Sequence, residues 1–193
     1  TATSLANTAA GLVVEKLGTA TVSTDEINEN ISNGSNLLRI VDKKQALEFV
    51  NESKKRGKRI IMTNGCFDII HAGHVSYLKK AKSLGDFLIV AINDDNSVKR
   101  LKGNSRPINT LENRITVLNG LASVNLVIPF SNDSPEELIS FLEPDVLVKG
   151  GDYKKEDIAG GKSVIDSGGD VVILPFEEGC STSLILEKIQ KKK

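Results

Sequence analysis

Short apolar runs alternate with longer stretches of helical periodicity from about residue 38 to the end of the 193-residue chain. Five runs of five or six apolar residues lack polar alternation, which is typical of strands covered on both faces. The helical stretches between them can provide that cover. The pattern therefore predicts an α/β domain with a doubly wound parallel sheet of about five strands and helices on both faces. The predicted strands are RIIMT, FLIVAI, NLVIPF, DVLVKG and VVILPF, and the predicted helices lie near 42–56, 74–84, 111–122, 135–142, 160–167 and 182–191.

The first 37 residues have a different pattern. Residues 2–17 place Leu5, Leu12 and other apolar or small side chains near one face of a predicted amphipathic helix. Residues 18–37 are polar and show no sustained periodicity, which is typical of a linker. We therefore expect two parts, residues 1–37 and a domain of residues 38–193.

The charge balance excludes a strong overall field. Lys plus Arg and Asp plus Glu both number 25, so nothing in the net charge draws the protein to nucleic acid or to an anionic membrane, and any anion site must be local. There is neither an apolar run of membrane-spanning length nor a signal-peptide pattern, which predicts a cytoplasmic protein. Cys66 and Cys180 indicate two reduced thiols rather than a disulfide framework.

Both histidines of the chain lie in GCFDIIHAGH, residues 65–74, where the first predicted strand gives way to a helix near Gly73. Ligands of parallel α/β sheets collect at such strand ends, and the N–H groups of a helix start favour a phosphate. Gly65 and Gly73 would allow close backbone approach. Three interpretations remain open at this point: a phosphate site using His71 and His74, a structural turn, or a metal site shared with Asp68.

GCFDIIHAGH resembles the signature of the cytidylyltransferase-like nucleotidyltransferases, in which G-x-F-D precedes H-x-G-H. Three further stretches match that family in order, NDDNSVKRLKGNSRPI, VKGGDY and EEGCSTS. Residues 38–190 are most similar to the adenylyltransferase half of bifunctional heptose 7-phosphate kinase/heptose 1-phosphate adenylyltransferases. The resemblance implies a Rossmann-like fold. Residues 1–37 resemble the end of the ribokinase-like kinase half, which implies a covalently linked kinase domain in the full-length protein; an ordinary N-terminal packing helix is the alternative.

The resemblance also implies roles for individual residues. His71, His74, Lys99 and Lys102 would stabilise the triphosphate during catalysis, and Arg106 would bind the sugar phosphate. Asp68 and Asp95 are the acids expected near Mg²⁺, which would be held mainly by the phosphates of ATP without an assigned protein ligand. The resemblance places the nucleotide against Gly65, Cys66, Phe67, Asp68, Gly73, Asp95, Lys149, Gly151, Asp152, Ser181, Thr182 and Ser183.

Simpler interpretations stand beside several of these roles. The lysines after the second strand could form a solvated basic turn, and Arg106 could stabilise a turn before Pro107. Lys149 could bind a phosphate or pair with an acid. One hydroxyl of the Ser181–Ser183 stretch could simply cap the last helix. The stretch also departs from the I-S-T-T pattern of the family, because Cys180 replaces isoleucine and Ser183 replaces the second threonine.

The reaction implied is transfer of AMP from ATP to D-glycero-β-D-manno-heptose 1-phosphate, giving ADP-heptose and pyrophosphate for lipopolysaccharide core biosynthesis. We expect small-molecule substrates and a homo-oligomeric assembly. We expect neither nucleic acid nor a membrane as a partner. A related enzyme that uses CTP and an alcohol phosphate such as glycerol 3-phosphate is the second hypothesis. A non-enzymatic nucleotide-binding or interaction module is the third.

Overall fold

A computed structural model describes residues 42–175 together with residues 9, 10, 13, 21–24 and 182. The chain divides into two units, Thr1–Leu37 and Leu38–Lys193. In the first unit, residues 9, 10 and 13 are helical; its assignment to a kinase domain stays a prediction. The predicted helix at 182–191 lies outside the described residues except for Thr182. No helix in the described part of the chain is both long and apolar enough to cross a bilayer.

Residues 42–175 form five strands, each within a few residues of a predicted apolar run. The strands are β1 (Ile60–Gly65), β2 (Phe87–Asn93), β3 (Leu126–Phe130), β4 (Val146–Gly150) and β5 (Asp170–Leu174). The helices are α1 (Lys43–Lys55), α2 (Ala72–Lys82), α3 (Asp95–Lys102), α4 (Leu111–Asn119), α5 (Glu136–Leu142) and α6 (Gly161–Asp166), with a 3₁₀ turn at Lys155–Asp157.

The strands pair in the order β3-β2-β1-β4-β5, and every pairing is parallel. The chain builds outward from β1 through β2 to β3, and then returns to add β4 and β5 on the other side of β1. The topological switch point therefore lies between β1 and β4, and ligands of such sheets bind at the carboxyl ends of the strands there. This confirms the predicted Rossmann-like, doubly wound sheet.

Successive strand residues pack into two apolar cores, one on each face of the sheet. Ile60 and Met62 of β1 join a cluster with α1, α5 and α6, whereas Ile61 joins a cluster with α2 and α4. Side chains on adjacent strand residues point to opposite faces, so a run that is apolar throughout needs cover on both sides. The absence of alternation in the sequence predicted this arrangement.

Helix α3 is the element that sequence periodicity missed. The sequence pattern predicted no helix directly after β2, where a solvated basic turn was one interpretation, but residues 95–102 are helical. Asp94 begins the helix by accepting the backbone N–H of Ser97 at 2.7 Å, an ordinary N-cap contact. The helix has eight residues and buries only Ser97 and Val98, so it carries too few apolar positions to produce a recognisable period.

Candidate active site

The carboxyl ends of β1 and β4 are joined by side chains at the switch point. The Lys149 ammonium of β4 donates to Asn64 Oδ1 of β1 at 3.0 Å. Tyr77 of α2 hydrogen-bonds Thr63 Oγ1 at 2.6 Å and donates to the Val148 carbonyl at 3.1 Å. Burial raises the pKa of Tyr77 to about 12, so its hydroxyl keeps its proton. These contacts hold α2 against both strands.

Helix α2 begins at the switch point without a capping side chain. His71 is its N-cap residue and makes no side-chain capping hydrogen bond, whereas Asp42, Asp94 and Thr110 cap α1, α3 and α4. The first N–H groups of a helix have no partner within it and carry partial positive charge. Gly73, the second residue of α2, lies in that first turn. The helix start is therefore available to an anion.

The two histidine rings lie together at this helix start. Their centroids are 3.9 Å apart, and Nδ1 of each ring is buried without a hydrogen-bond partner among the described residues. The Phe67 ring lies 5.3 Å from that of His74. A Cβ on Gly65 would lie 3.0 Å from a carbon of the Phe67 ring, so the close packing of Phe67 favours a glycine at this position. Two polar ring atoms at the start of α2 are thus left unpaired by the described residues.

The environment keeps both imidazoles uncharged at neutral pH. Burial lowers the pKa of His71. Burial, with the charges of His71 and Lys102 adding to it, lowers the pKa of His74 to about 4. A neutral imidazole offers one N–H donor and one acceptor nitrogen. The pair can therefore bind phosphate by hydrogen bonding and can gain charge if an anion arrives.

Helix α3 brings lysines towards the histidines. Lys99 and Lys102 are exposed and three residues apart, which places them on one side of the helix. Lys102 is near enough to His74 for its charge to lower the pKa of that ring. Arg100 turns elsewhere, because its Nε donates to Asp133 at 2.8 Å and its Nη2 to the Ser131 carbonyl at 2.6 Å.

Asp68, in the loop between β1 and α2, is bound by donors from residues 106–109. Its carboxylate accepts Arg106 Nε and the backbone N–H groups of Ile108 at 2.8 Å and Asn109 at 2.9 Å. Burial alone would raise the pKa of Asp68, but the donors of Asn109, Arg106 and Ile108 lower it below its usual value. The Arg106 side chain is only 12% exposed, and its Nη2 has no partner among the described residues.

These contacts weigh against the metal-site interpretation of Asp68, His71 and His74. No group of three or more His, Cys, Asp or Glu within the described ranges could hold a metal ion. Asp95, the other acid expected near Mg²⁺, accepts Arg114 Nη2 at 2.7 Å. Both carboxylates are thus engaged by arginines.

Arg114 of α4 is the site residue that sequence reasoning missed. Its side chain is fully buried, and besides Asp95 it donates to three carbonyls, those of Asn109 at 3.0 Å, Cys66 at 2.6 Å and Asn93 at 2.9 Å. It therefore ties the ends of β1 and β2 and the start of α3 to the segment before α4. The sequence did contain one indication of this role. Arg114 lies four residues before Leu118, which places it on the buried face of α4.

The remaining predicted residues of β4 surround its carboxyl end. Burial lowers the pKa of Lys149, and the nearby Cys66 opposes that shift. The lysine donates to the Asn64 amide and not to an acid, and its contact with a phosphate stays a prediction. Gly151 has φ of +122°, a conformation that glycine adopts readily, and its N–H donates to the Leu174 carbonyl. Asp152 is exposed beside it.

Cys66 and the last predicted motif also meet this region. The free thiol of Cys66 lies 3.7 Å from Asn93 Oδ1. Thr182 Oγ1 donates to the Ile69 carbonyl at 3.4 Å, so the motif reaches the loop between β1 and α2. Cys180, Ser181 and Ser183 lie outside the described residues.

Comparison with known proteins gives the following matches. A family model described as cytidylyltransferase-like matches residues 62–188. The bifunctional protein HldE of Shewanella loihica is 58% identical over 193 residues, which cover 99% of this chain and 40% of that protein. The corresponding protein of Shewanella sp. strain ANA-3 is 56% identical with the same coverage. The chain thus spans about two fifths of the length of these relatives.

Two solved structures share the fold. The lipopolysaccharide core biosynthesis protein from Thermoplasma volcanium GSS1 is 27% identical, with a TM-score of 0.52 over 63% of this chain and 98% of that chain. A pantoate-beta-alanine ligase from Francisella tularensis, solved with an ATP ligand and beta-alanine, is 18% identical, with a TM-score of 0.51 over 72% of this chain and 68% of that chain. The second likeness concerns the fold alone.

Proposed function

Because the chain belongs to the cytidylyltransferase-like family, we propose that it transfers AMP from ATP to D-glycero-β-D-manno-heptose 1-phosphate. The products are ADP-heptose and pyrophosphate, and we propose lipopolysaccharide core biosynthesis in the cytoplasm as the use of the sugar nucleotide. High identity to the HldE proteins supports this choice of substrate. The linked kinase domain of the full-length protein belongs to the same proposal.

One observation carries the chemistry: the uncapped start of α2 at the switch point contains His71 and His74, whose buried Nδ1 atoms have no partner among the residues that the structure describes. A helix N-terminus with adjacent donors is a site for phosphate groups. A buried polar atom without a hydrogen bond costs free energy. The unpaired ring nitrogens of His71 and His74 therefore do not contribute to the stability of the fold. A triphosphate bound here would satisfy His71 and His74.

The proposed reaction needs no nucleophile from the protein. A phosphate oxygen of the sugar phosphate attacks the α-phosphorus of ATP, and a new oxygen–phosphorus bond forms as the bond to the β-phosphate oxygen breaks. The electron pair of the broken bond leaves on pyrophosphate. Catalysis then depends on alignment and on stabilising negative charge as it moves to the leaving group.

The cations near the helix start would supply that stabilisation. His71 and His74 hydrogen-bond the phosphates, and Lys102 adds a mobile charge from α3, with Lys99 beside it. Ser181, Thr182 and Ser183 are proposed to contact the phosphates from the last motif. Magnesium, carried on the ATP phosphates, would neutralise further charge there; Asp68 and Asp95 are bound to arginines, which does not suit them to direct ligation.

The nucleoside is proposed to lie against β4. Gly151 ends the strand with φ of +122°, and the exposed Asp152 carboxylate follows it. Lys149 lies close enough to Cys66 for an electrostatic interaction, and both are proposed to contact the nucleotide. Base selection depends on backbone contacts in this region, so CTP remains the specific alternative to ATP.

Pyrophosphate release is the direct test. The full chain should release pyrophosphate only when ATP, Mg²⁺ and heptose 1-phosphate are all present, and ADP-heptose should form in equal amount. CTP with glycerol 3-phosphate is the parallel pair, and greater turnover with that pair would favour the second hypothesis. No pyrophosphate with either pair, despite measurable nucleotide binding, would instead indicate a non-enzymatic module.

A further inference from the structure

The pairing of the two central strands ends before the strands themselves do. Strand β1 pairs with β4 over three residues, and the last pair is Thr63 with Val148. Both strands continue for two more residues, where β1 stays paired with β2 and β4 stays paired with β5. The two central strands are therefore no longer paired from Asn64 and Lys149 onward, at the switch point where ligands of such sheets bind.

One side-chain contact joins the two strands at that point. Lys149 Nζ donates to Asn64 Oδ1 at 3.0 Å, and both residues are partly buried. Asn64 follows Met62 by two residues, and Lys149 follows Leu147 by two; Met62 and Leu147 belong to the same apolar core. Because alternate residues of a strand share a face, both polar side chains project to one side of the sheet. The register of the strands thus places this amide beside this ammonium.

The hydrogen-bond acceptor of this lysine is neutral. Lys43, Lys54 and Lys58 each pair with a carboxylate, whereas Lys149 donates to an amide oxygen. An aspartate at position 64 could accept the same hydrogen bond, but it would cancel the positive charge. A partly buried charge without an ionic partner costs free energy, and an anion that binds beside it lowers that cost. The Asn64 amide therefore orients the ammonium and leaves its charge available to a ligand.

The path of the proposed nucleotide identifies that ligand group. The nucleoside is proposed to lie against β4, and the outer phosphates at the start of α2. The α-phosphate links these two parts, so it has to pass the ends of β1 and β4, where Lys149 lies. An ammonium group there suits a phosphate oxygen, because a charge-assisted hydrogen bond is stronger than a neutral one.

We propose that Asn64 is a positioning residue, whose amide orients the Lys149 ammonium towards the α-phosphate of the nucleotide without cancelling its charge. That the ligand is a nucleotide rests on the proposed function.

Asn64→Asp tests this role, with Asn125→Asp as the matched control. Asn125 Oδ1 accepts the Leu88 N–H at 2.9 Å near the amino end of β2, so both changes replace an accepting amide by a carboxylate. Asn64→Asp should raise the Kd for a non-hydrolysable ATP analogue on the order of 10-fold, because the new carboxylate cancels the charge that the α-phosphate meets. The Kd for AMP, measured by displacement of the analogue, should rise by the same factor, since AMP carries only the α-phosphate. Asn125→Asp should change neither constant.

A double-mutant cycle separates positioning from a purely structural role. Asn64→Ala should raise the Kd for AMP by about 3- to 10-fold in the wild-type background. In the Lys149→Met background it should leave that Kd unchanged, because Asn64 acts through the lysine. An equal rise in both backgrounds would show that Asn64 acts without Lys149 and would overturn the proposal. Circular dichroism checks that each variant folds, and the cycle decides the question even if Asn64→Asp does not fold.

The outcomes distinguish this inference from the proposed function. If both Kd values rise in Asn64→Asp and the wild type releases no pyrophosphate, the proposed reaction is refuted and the positioning role stands. If the wild type releases pyrophosphate and Asn64→Asp binds both nucleotides normally, the positioning role alone is refuted. A rise for the ATP analogue without a rise for AMP would place Lys149 on an outer phosphate and overturn its assignment to the α-phosphate.

Discussion

Binding of a non-hydrolysable ATP analogue should raise the pKa of His74 towards neutrality. In the free protein, burial and the charges of His71 and Lys102 lower that pKa to about 4. A phosphate charge about 4 Å from the ring, at an effective dielectric constant of about 20, attracts the imidazolium by about 4 kcal/mol, which corresponds to a rise of about 3 in the pKa. The bound form should therefore titrate near a pH of about 7.

Proton NMR can follow this change directly. The chain contains 2 histidines, so the ring Cε1–H signals can be assigned with one variant, His71→Ala. The titration is recorded with and without the analogue, and AMP serves as the control ligand because it lacks the β- and γ-phosphates. A free-protein pKa near the usual value of 6.5, or a pKa that the analogue leaves unchanged, would refute the placement of the triphosphate at this ring.

The same depression of the pKa makes stability depend on pH in a defined direction. Below about pH 6.5, His74 is protonated in the unfolded chain but stays neutral in the folded chain until the pH approaches about 4. The free energy of unfolding therefore falls as the pH falls from about 6.5 to about 4. The full lowering of the pKa of His74 corresponds to about 3 kcal/mol of stability. Because the ring is only half-buried, solvent screening reduces this contribution to about 1–2 kcal/mol. Urea denaturation at several pH values should show this loss in the wild type and less of it in His74→Gln.

Four further predictions concern other parts of the chain. His71→Ala and His74→Ala should each lower turnover by on the order of 10² while the circular dichroism spectrum stays intact; near-normal turnover would contradict their role. Arg114→Met should cost about 3–5 kcal/mol in urea denaturation, because it strands a carboxylate and three carbonyls; a loss too small to measure would show that the buried contacts contribute little. Bound ATP should slow modification of Cys66 by a thiol reagent, and an equal rate would place the nucleotide elsewhere. Deleting residues 1–34 should leave adenylyl transfer nearly unchanged and reduce any self-association seen by light scattering, and a collapse of activity would assign that part to the catalytic domain.

The sheet was predictable from the sequence because its strands are buried on both faces. Each strand contains an apolar run of three or more residues without polar alternation, and burial of both faces demands helices between the runs. The position of the candidate site is a prediction of the same kind, since a sheet of this kind has one switch point and GCFDIIHAGH begins at the end of its first strand. Helix α3 could not be found in this way, because only Val98 among its apolar residues is buried.

The roles of Asp68 and Asp95 were harder to predict, because the sequence shows an aspartate but not the residue that its carboxylate contacts in the fold. Asp68 was expected near Mg²⁺, yet its partners lie 38 to 41 residues further along the chain. Asp95 meets an arginine 19 residues away. Motif spacing describes only local neighbours, and these contacts depend on which loops the sheet brings together.

The contacts of Arg114 bear on how freely this site can vary. Three of its four acceptors are main-chain carbonyls, at Cys66, Asn93 and Asn109, and a carbonyl is present whatever side chain the residue carries. The contacts of Arg114 therefore constrain the path of the backbone at those three positions, but they do not constrain which side chain each position carries. The side chains of Asn93 and Asn109 make contacts of their own, with Ser97 at 2.9 Å and the Asp68 carbonyl at 2.6 Å. Substitution of Cys66, whose thiol lies 3.7 Å from Asn93 Oδ1, would therefore disturb the loops least, whereas Arg114 has no such freedom because its guanidinium makes all four contacts.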